Sequence, residues 1–257
     1  AIVHNTEALV EFSFTQSNML MGITGYLLGN TGINKTSDFG SLKGSIKNTE
    51  PLFVSPTDTL KGFYDDVELN AFGVHDIAYI YINGELKHIY DRTKLKGKEL
   101  YEESFSVPVK AFNGEIKVDI LVQALGRINY ARRIYDRKGL DEIYLGGQAI
   151  VDWDVYCMEL DKAPEIKYEK SAQNSPCFMK AVFKADEKVD TFVDMRGFSN
   201  AVVYVNGFNL GRFLKRGPQY TLYLPAPILK DENEIIVLEL EGCKKNEIRL
   251  IDKAILK

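Results

Sequence analysis

The chain has 257 residues, 45% hydrophobic and 26% charged, with a formal net charge of -4. That balance excludes a disordered chain, which combines low hydrophobicity with high net charge, and a pI near 5.6 argues against nucleic acid as a partner. No apolar run approaches the ~18 residues that a membrane-crossing helix needs, so no membrane span is expected.

In chain order, residues 1–60 are rich in Gly, Ser, Thr and Asn, with patchy strand signals such as Val10 to Phe14. They read as early strands and long loops of a first domain. Ala78 to Ile82 is a β-branched and aromatic run that meets Asn83-Gly84. Lys117 to Val122 alternates polar with apolar, followed by Thr191 to Met195, Ala201 to Val205 ending at Asn206-Gly207, Thr221 to Leu224, and Ile235 to Leu240. A period of two is the strand period. Short runs bounded by Gly, Pro, Asn or Asp predict an all-β sandwich architecture. Helical periodicity is weak, and the rhythm of eight βα units required by a barrel enzyme is absent.

Two landmarks repeat. Ala78-Tyr-Ile-Tyr-Ile-Asn-Gly84 aligns with Ala201-Val-Val-Tyr-Val-Asn-Gly207 at a spacing of 123 residues. Asp119 to Gly126 resembles Ile235 to Gly242 at a spacing of 116. Asn-Gly favours a type I′ hairpin, whose two central residues both need positive φ. The same order of strand, turn and late apolar strand predicts two copies of one sandwich. Asp161 to Lys170 is charged and carries Pro164, which is linker chemistry. The expected organisation is a first sandwich over 1–160, a linker over 161–174 and a second sandwich over 175–257.

Three cysteines and three histidines are scattered, without CxxC, HxH or HExxH spacing, so no metal site is expected. No phosphate-binding glycine loop is present, and no cofactor is expected. Adjacent carboxylates such as Asp65-Asp66, Glu102-Glu103 and Asp231-Glu232 would point to opposite faces of a strand. They read as surface charge.

Several segments resemble the family 35 glycoside hydrolases, the β-galactosidases. They are Leu125-Gly-Arg-Ile-Asn-Tyr130 with Asp136 to Leu140, Asp190 to Gly197, Val203-Tyr-Val-Asn-Gly-Phe-Asn-Leu-Gly-Arg-Phe213, and Arg216 to Pro225. The matching segments belong to that family's C-terminal half, where two galactose-binding-like jelly-roll sandwiches follow a catalytic barrel. The resemblance implies tandem galactose-binding-like β-sandwiches without the catalytic signature. Glu232-Asn233-Glu234 imitates part of that signature but lacks its Gly-Gly-Pro and Gln context.

The resemblance implies a non-catalytic region that supports a barrel, binds carbohydrate, or both. The alternative is a degenerate standalone copy serving as a structural subunit of a larger assembly. Implied partners are a galactoside-type glycan, a catalytic barrel or another protein subunit. Candidate contact residues are Arg127, Asn129, Tyr130, Trp153, Asn206, Asn209 and Arg212. Trp153 is the only tryptophan; it reads either as a sugar-stacking face or as a packing residue at a domain edge. The basic run Arg127, Arg132, Arg133, Arg137 and Lys138 reads as a grip on an acidic group or as an interface between domains.

Overall fold

The computed structural model describes residues 8–11, 17–18, 52–56, 60–96, 103–126, 138–150, 153–158, 160–166, 168, 176–242 and 247–257. The described residues are mostly strand, with two single-turn 3₁₀ pieces. None of their helices is long and apolar enough to cross a membrane. The chain divides into two compact units, one of residues 31–159 and one that joins residues 1–30 to residues 160–257.

Strands β1 (Ala8–Glu11) and β2 (Ser17–Asn18) belong to the C-terminal unit. The N-terminal unit holds β3 (Leu52–Pro56), β4 (Leu60–Tyr64), β5 (Val67–Phe72), β6 (Ile77–Ile82) and β7 (Glu85–Asp91). It continues with β8 (Phe105–Val109), β9 (Phe112–Ile116), β10 (Val118–Gln123), β11 (Glu142–Leu145), β12 (Gln148–Ala149) and β13 (Trp153–Cys157). The C-terminal unit adds β14 (Cys177–Lys184), β15 (Thr191–Asp194), β16 (Asn200–Val205), β17 (Phe208–Leu214), β18 (Thr221–Leu224), β19 (Glu232–Glu239) and β20 (Glu247–Ile251).

Each unit packs a five-stranded antiparallel sheet against a four-stranded one. In the N-terminal unit the sheet orders are β7-β6-β10-β3-β13 and β8-β5-β11-β12; in the C-terminal unit they are β17-β16-β19-β14-β2 and β18-β15-β20-β1. The two sets correspond strand for strand. A pair β4–β9 flanks the first sandwich. The N-terminal core draws Ile80, Ile82, Ile120 and Val122 from the large sheet and Leu69, Val107, Ile143 and Leu145 from the small one. The C-terminal core draws Val203, Val205, Ile235 and Val237 against Val193, Leu222, Leu224 and Ile248. Interdigitated apolar side chains from two inner sheet faces define a sandwich.

The internal repeat extends to fine geometry. Asn83 and Asn206 both have φ of 52°, and the glycines that follow, Gly84 and Gly207, have φ of 78° and 81°. This is the double left-handed turn that the Asn-Gly pairs predict. In each hairpin one extra residue on the returning strand, Lys87 or Leu210, makes a β-bulge at the same distance from the turn. The Asn83 side chain accepts from Lys117 N, and the Asn206 side chain accepts from Glu234 N.

Three expectations are corrected. First, Ala8–Glu11 pairs with β20, and Ser17–Asn18 pairs with β14. These early strands complete the second sandwich rather than the first.

Second, pairing sets Ile120 opposite Ile80 and Val237 opposite Val203. The late strands therefore correspond at a spacing of 117, not 116. The match of Gly126 with Gly242 had hidden a one-residue slip, which in a strand exchanges the two faces.

Third, β6, β10 and β16 are buried along their whole length. Of the three, only Lys117 to Val122 reads as alternating polar with apolar, and its polar Asp119 is buried as well. Tyr204 is fully buried on the face opposite the core residues Val203 and Val205.

Candidate functional site

The sequence-predicted contact residues do not gather into one cleft. Arg127, Asn129 and Tyr130 lie outside the described residues, as do Arg132, Arg133 and Arg137. Trp153 opens β13 and is 0% exposed, packed in the N-terminal core. Its Nε1–H donates to Ile150 O at 2.9 Å. A fully buried indole with a satisfied N–H offers no face to a sugar, so of its two readings the packing one holds.

Asn206 and Asn209 sit where the resemblance is most specific, and both are engaged by the fold. Asn206 Nδ2 donates to Ile228 O and to Asn233 Oδ1, each at 2.8 Å, and its Oδ1 accepts from Glu234 N at 3.0 Å. This links the hairpin to the 3₁₀ turn Ala226–Ile228 and to β19. Asn209 Nδ2 donates to Leu160 O at 2.7 Å, and Tyr204 Oη–H donates to the same carbonyl at 2.9 Å. Leu160, the residue before the expected linker, is thereby stitched to the outer face of β16–β17. Further along it, Lys180 Nζ lies 5.7 Å from the ring centre of Tyr168. Arg212 is half-buried on β17, opposite Val202.

A cluster of charged side chains lies at the entrance to β6, in the segment Val74-His75-Asp76. Arg92 donates to Asp76 Oδ1 at 2.8 Å, and Lys138 Nζ donates to Asp76 Oδ2 at 2.8 Å. Leu125 N donates to the same Oδ2 at 2.7 Å. Arg92 also reaches Glu103 Oε1 at 3.2 Å and His75 Nδ1 at 3.0 Å, while His75 Nε2 faces Glu103 Oε2 at 3.0 Å. A guanidinium can only donate, so Nδ1 is the acceptor and Nε2 carries the proton toward the carboxylate. Lys138 therefore spends its charge on the entrance to β6. Asp76 and Arg92 were missed in the sequence, and Glu103, read there as surface charge, is instead partly buried against Arg92 and His75; charges beside a wholly apolar strand were the available signal.

Asp66 is exposed and held below its ordinary value by Lys110 and Ala111 N. Asp231 is held low by Lys188. Glu239 is the described carboxyl that burial pushes upward, to about 7, against three backbone N–H donors from Ser199, Asn200 and Glu241. It is 0% exposed. A general acid has to reach the leaving-group oxygen, and this one faces backbone.

A second surface was also missed. Phe72 and Tyr144 form an edge-to-face ring pair on the outward face of the small N-terminal sheet, centroids 5.8 Å apart at 83°. Phe192 and Tyr223 form a tilted pair at 5.5 Å on the corresponding sheet of the C-terminal unit. These rings alternate with core residues along their strands; that alternation was the signal.

Fold and residues together define a tandem β-sandwich of the β-galactosidase type. Residues 56–159 match the β-galactosidase first all-beta domain, and residues 176–234 match the β-galactosidase galactose-binding domain. The chain carries the C-terminal, non-catalytic β-domains of the family 35 glycoside hydrolases. Among curated relatives, a β-galactosidase-1-like protein of Mus musculus is 34% identical over 200 residues, covering 72% of this chain and 29% of that protein. The β-galactosidase of Bos taurus is 32% identical over 195 residues, covering 66% and 28%. β-Galactosidase 8 of Oryza sativa subsp. japonica is 24% identical over 287 residues, covering 94% and 38%. The chain thus spans between 28% and 38% of the length of these relatives.

Proposed function

We propose that this chain is a non-catalytic module that buttresses a catalytic barrel of the β-galactosidase type, with carbohydrate binding as a second role on its surface. The observation that carries the buttressing role is the fate of the motif residues. Asn206, Asn209, Asp194 with Arg196, and Asp76 with Lys138 all serve to hold strands and loops in register. Residues used in this way specify a rigid support. The carboxylates support the same reading: those flanked by cations are kept ionised, and the one with a raised pKa is inaccessible.

The test is complementation in trans. A family 35 catalytic barrel expressed without its β-domains should gain soluble yield and thermal stability when this chain is co-expressed. The chain by itself should not hydrolyse a chromogenic galactoside. No gain for the barrel would reject the buttressing role. Turnover abolished by one Asp or Glu substitution within this chain would reject the non-catalytic assignment. The carbohydrate role is favoured by the Phe72–Tyr144 ring pair, which lies outside the core.

A further inference from the structure

The Phe72–Tyr144 surface has a composition that selects among ligands. Along β5, β8 and β11 the inward positions Leu69, Ala71, Val107, Ile143 and Leu145 are buried, while the alternate positions face outward. Phe72 is 43% exposed. Tyr144 Oη–H donates to Glu142 Oε2 at 2.9 Å, which fixes the phenol beside a carboxylate. Register sets Asn70 opposite Tyr144 on one side and opposite Ser106 on the other. Ser106 Oγ–H in turn donates to Glu68 Oε2 at 2.6 Å. The outward positions of these three strands therefore hold two aromatic rings, two carboxylates, an amide, a hydroxyl and Pro108, and no lysine or arginine.

We propose that this face is a shallow platform for a neutral glycan, with Phe72 and Tyr144 stacking on the apolar face of a pyranose and Glu142 and Asn70 taking its hydroxyls. A pyranose offers C–H groups on one face and hydroxyls around its rim, which matches rings bordered by acceptors and an amide. Charge decides against the other occupants. Glu68 and Glu142 repel anionic glycans. A second copy placed face to face would set those carboxylates against their own images. A protein partner needs roughly 800 Å² per side, whereas two aromatic rings supply about 300–500 Å² even when fully covered. The inference rests on the carbohydrate role proposed above and gives that role a location.

The experiment is saturation-transfer NMR followed by titration of the full chain. The probes are methyl β-D-galactopyranoside, β-1,4-galactotetraose and, as the anionic counterpart, trigalacturonic acid. The neutral tetraose should bind and the anionic trimer should not. Phe72→Ala and Tyr144→Ala should each weaken tetraose binding by about tenfold or more, the effect of losing one well-placed contact. Glu142→Gln should weaken it less. Phe192→Ala, on the other sandwich, should bind as the parent does. Circular dichroism and the emission of buried Trp153 verify folding of each variant. Undiminished binding by both ring variants would overturn the platform and leave carbohydrate binding to another surface. No tetraose binding by the parent chain would overturn the platform and the carbohydrate role together, leaving the buttressing role intact. Tighter binding of trigalacturonic acid than of tetraose would also overturn it.

Discussion

Lys138 Nζ lies 2.8 Å from Asp76 Oδ2, with the two side chains 2% and 7% exposed. The pair joins the entrance of β6 to the chain beyond β10, and Asp76 simultaneously accepts from Arg92 and Leu125 N. Desolvated charges of this kind are costly to leave without their counter-ion.

Asp76→Ala should consequently destabilise the N-terminal sandwich by about 3–5 kcal/mol, the range for breaking a buried ion pair from one side. Lys138→Met should cost less, because Asp76 keeps Arg92 and the Leu125 amide. A urea melt read through Trp153, which sits in the same unit, measures both. Equal losses would mean that the Arg92 and Leu125 contacts of Asp76 add nothing to its pairing with Lys138.

The two Asn-Gly turns should respond differently to the same change. The Asn206 amide donates to two acceptors, Ile228 O and Asn233 Oδ1. A carboxylate there would face both without a proton, so Asn206→Asp should cost roughly 1–3 kcal/mol. The chemistry of an isolated turn would have made that change mild. Asn83 is exposed and its oxygen accepts from Lys117 N, so Asn83→Asp should be nearly neutral. Gly207→Val should also destabilise by about 1–3 kcal/mol, through its positive φ rather than through a clash; a Cβ there meets nothing within 4 Å. Far-UV circular dichroism reads all three.

Two carboxyls of the C-terminal sandwich should give opposite pH dependence. Burial raises the Glu239 pKa from 4.5 to about 7. Between those values the folded state holds the additional proton, so stability falls as pH rises through that window and levels off above it. For Asp194, burial alone would raise the pKa. The bonds from the Arg196 side chain and backbone outweigh that and hold it below its ordinary value. Its contribution is complete above the ordinary carboxylate range and is lost as pH falls through the folded value. Urea midpoints of the full chain should decline from about pH 5 to about pH 7, and Glu239→Gln should flatten that decline. An unchanged slope in the variant would assign the titration to another group.

Trp153 should emit at short wavelength, and its emission should not respond to any sugar, since the indole is enclosed in the core. Trp153→Phe should melt earlier, losing the bond to Ile150 O and part of the packing volume, at about 1–3 kcal/mol. A sugar-induced change in emission would contradict the buried placement.

The sandwich class, the repeat and the turns were legible because they depend on local chemistry: β-branched alternation and the left-handed tolerance of Asn-Gly. What lay beyond reading depends on tertiary contacts. Tyr204 and Leu121 look like solvent-facing alternates in their strands, yet both are buried; alternation records that a strand has two faces, not that one of them is wet. Trp153 carried no mark separating a stacking ring from a packing ring. The Lys138 charge read as part of a run gripping an acidic group or lying between domains, and only the fold brings Asp76, 62 residues earlier, beside it. Ala8–Glu11 looked local to the first domain because nothing short of pairing reveals that it borders β20.

The bulges at Lys87 and Leu210 also bear on solubility. Each lies in β7 or β17, the terminal strand of its large sheet, where unpaired backbone groups form a template for another extended chain. An extra residue at that margin increases the local twist and interrupts the regular ladder, so neither margin presents the flat row that a stray strand could dock on. Deleting Leu210 would straighten one of them. The expected harm is self-association rather than lost binding, visible as concentration-dependent light scattering below the melting transition, alongside the stability lost with the core contact of Leu210.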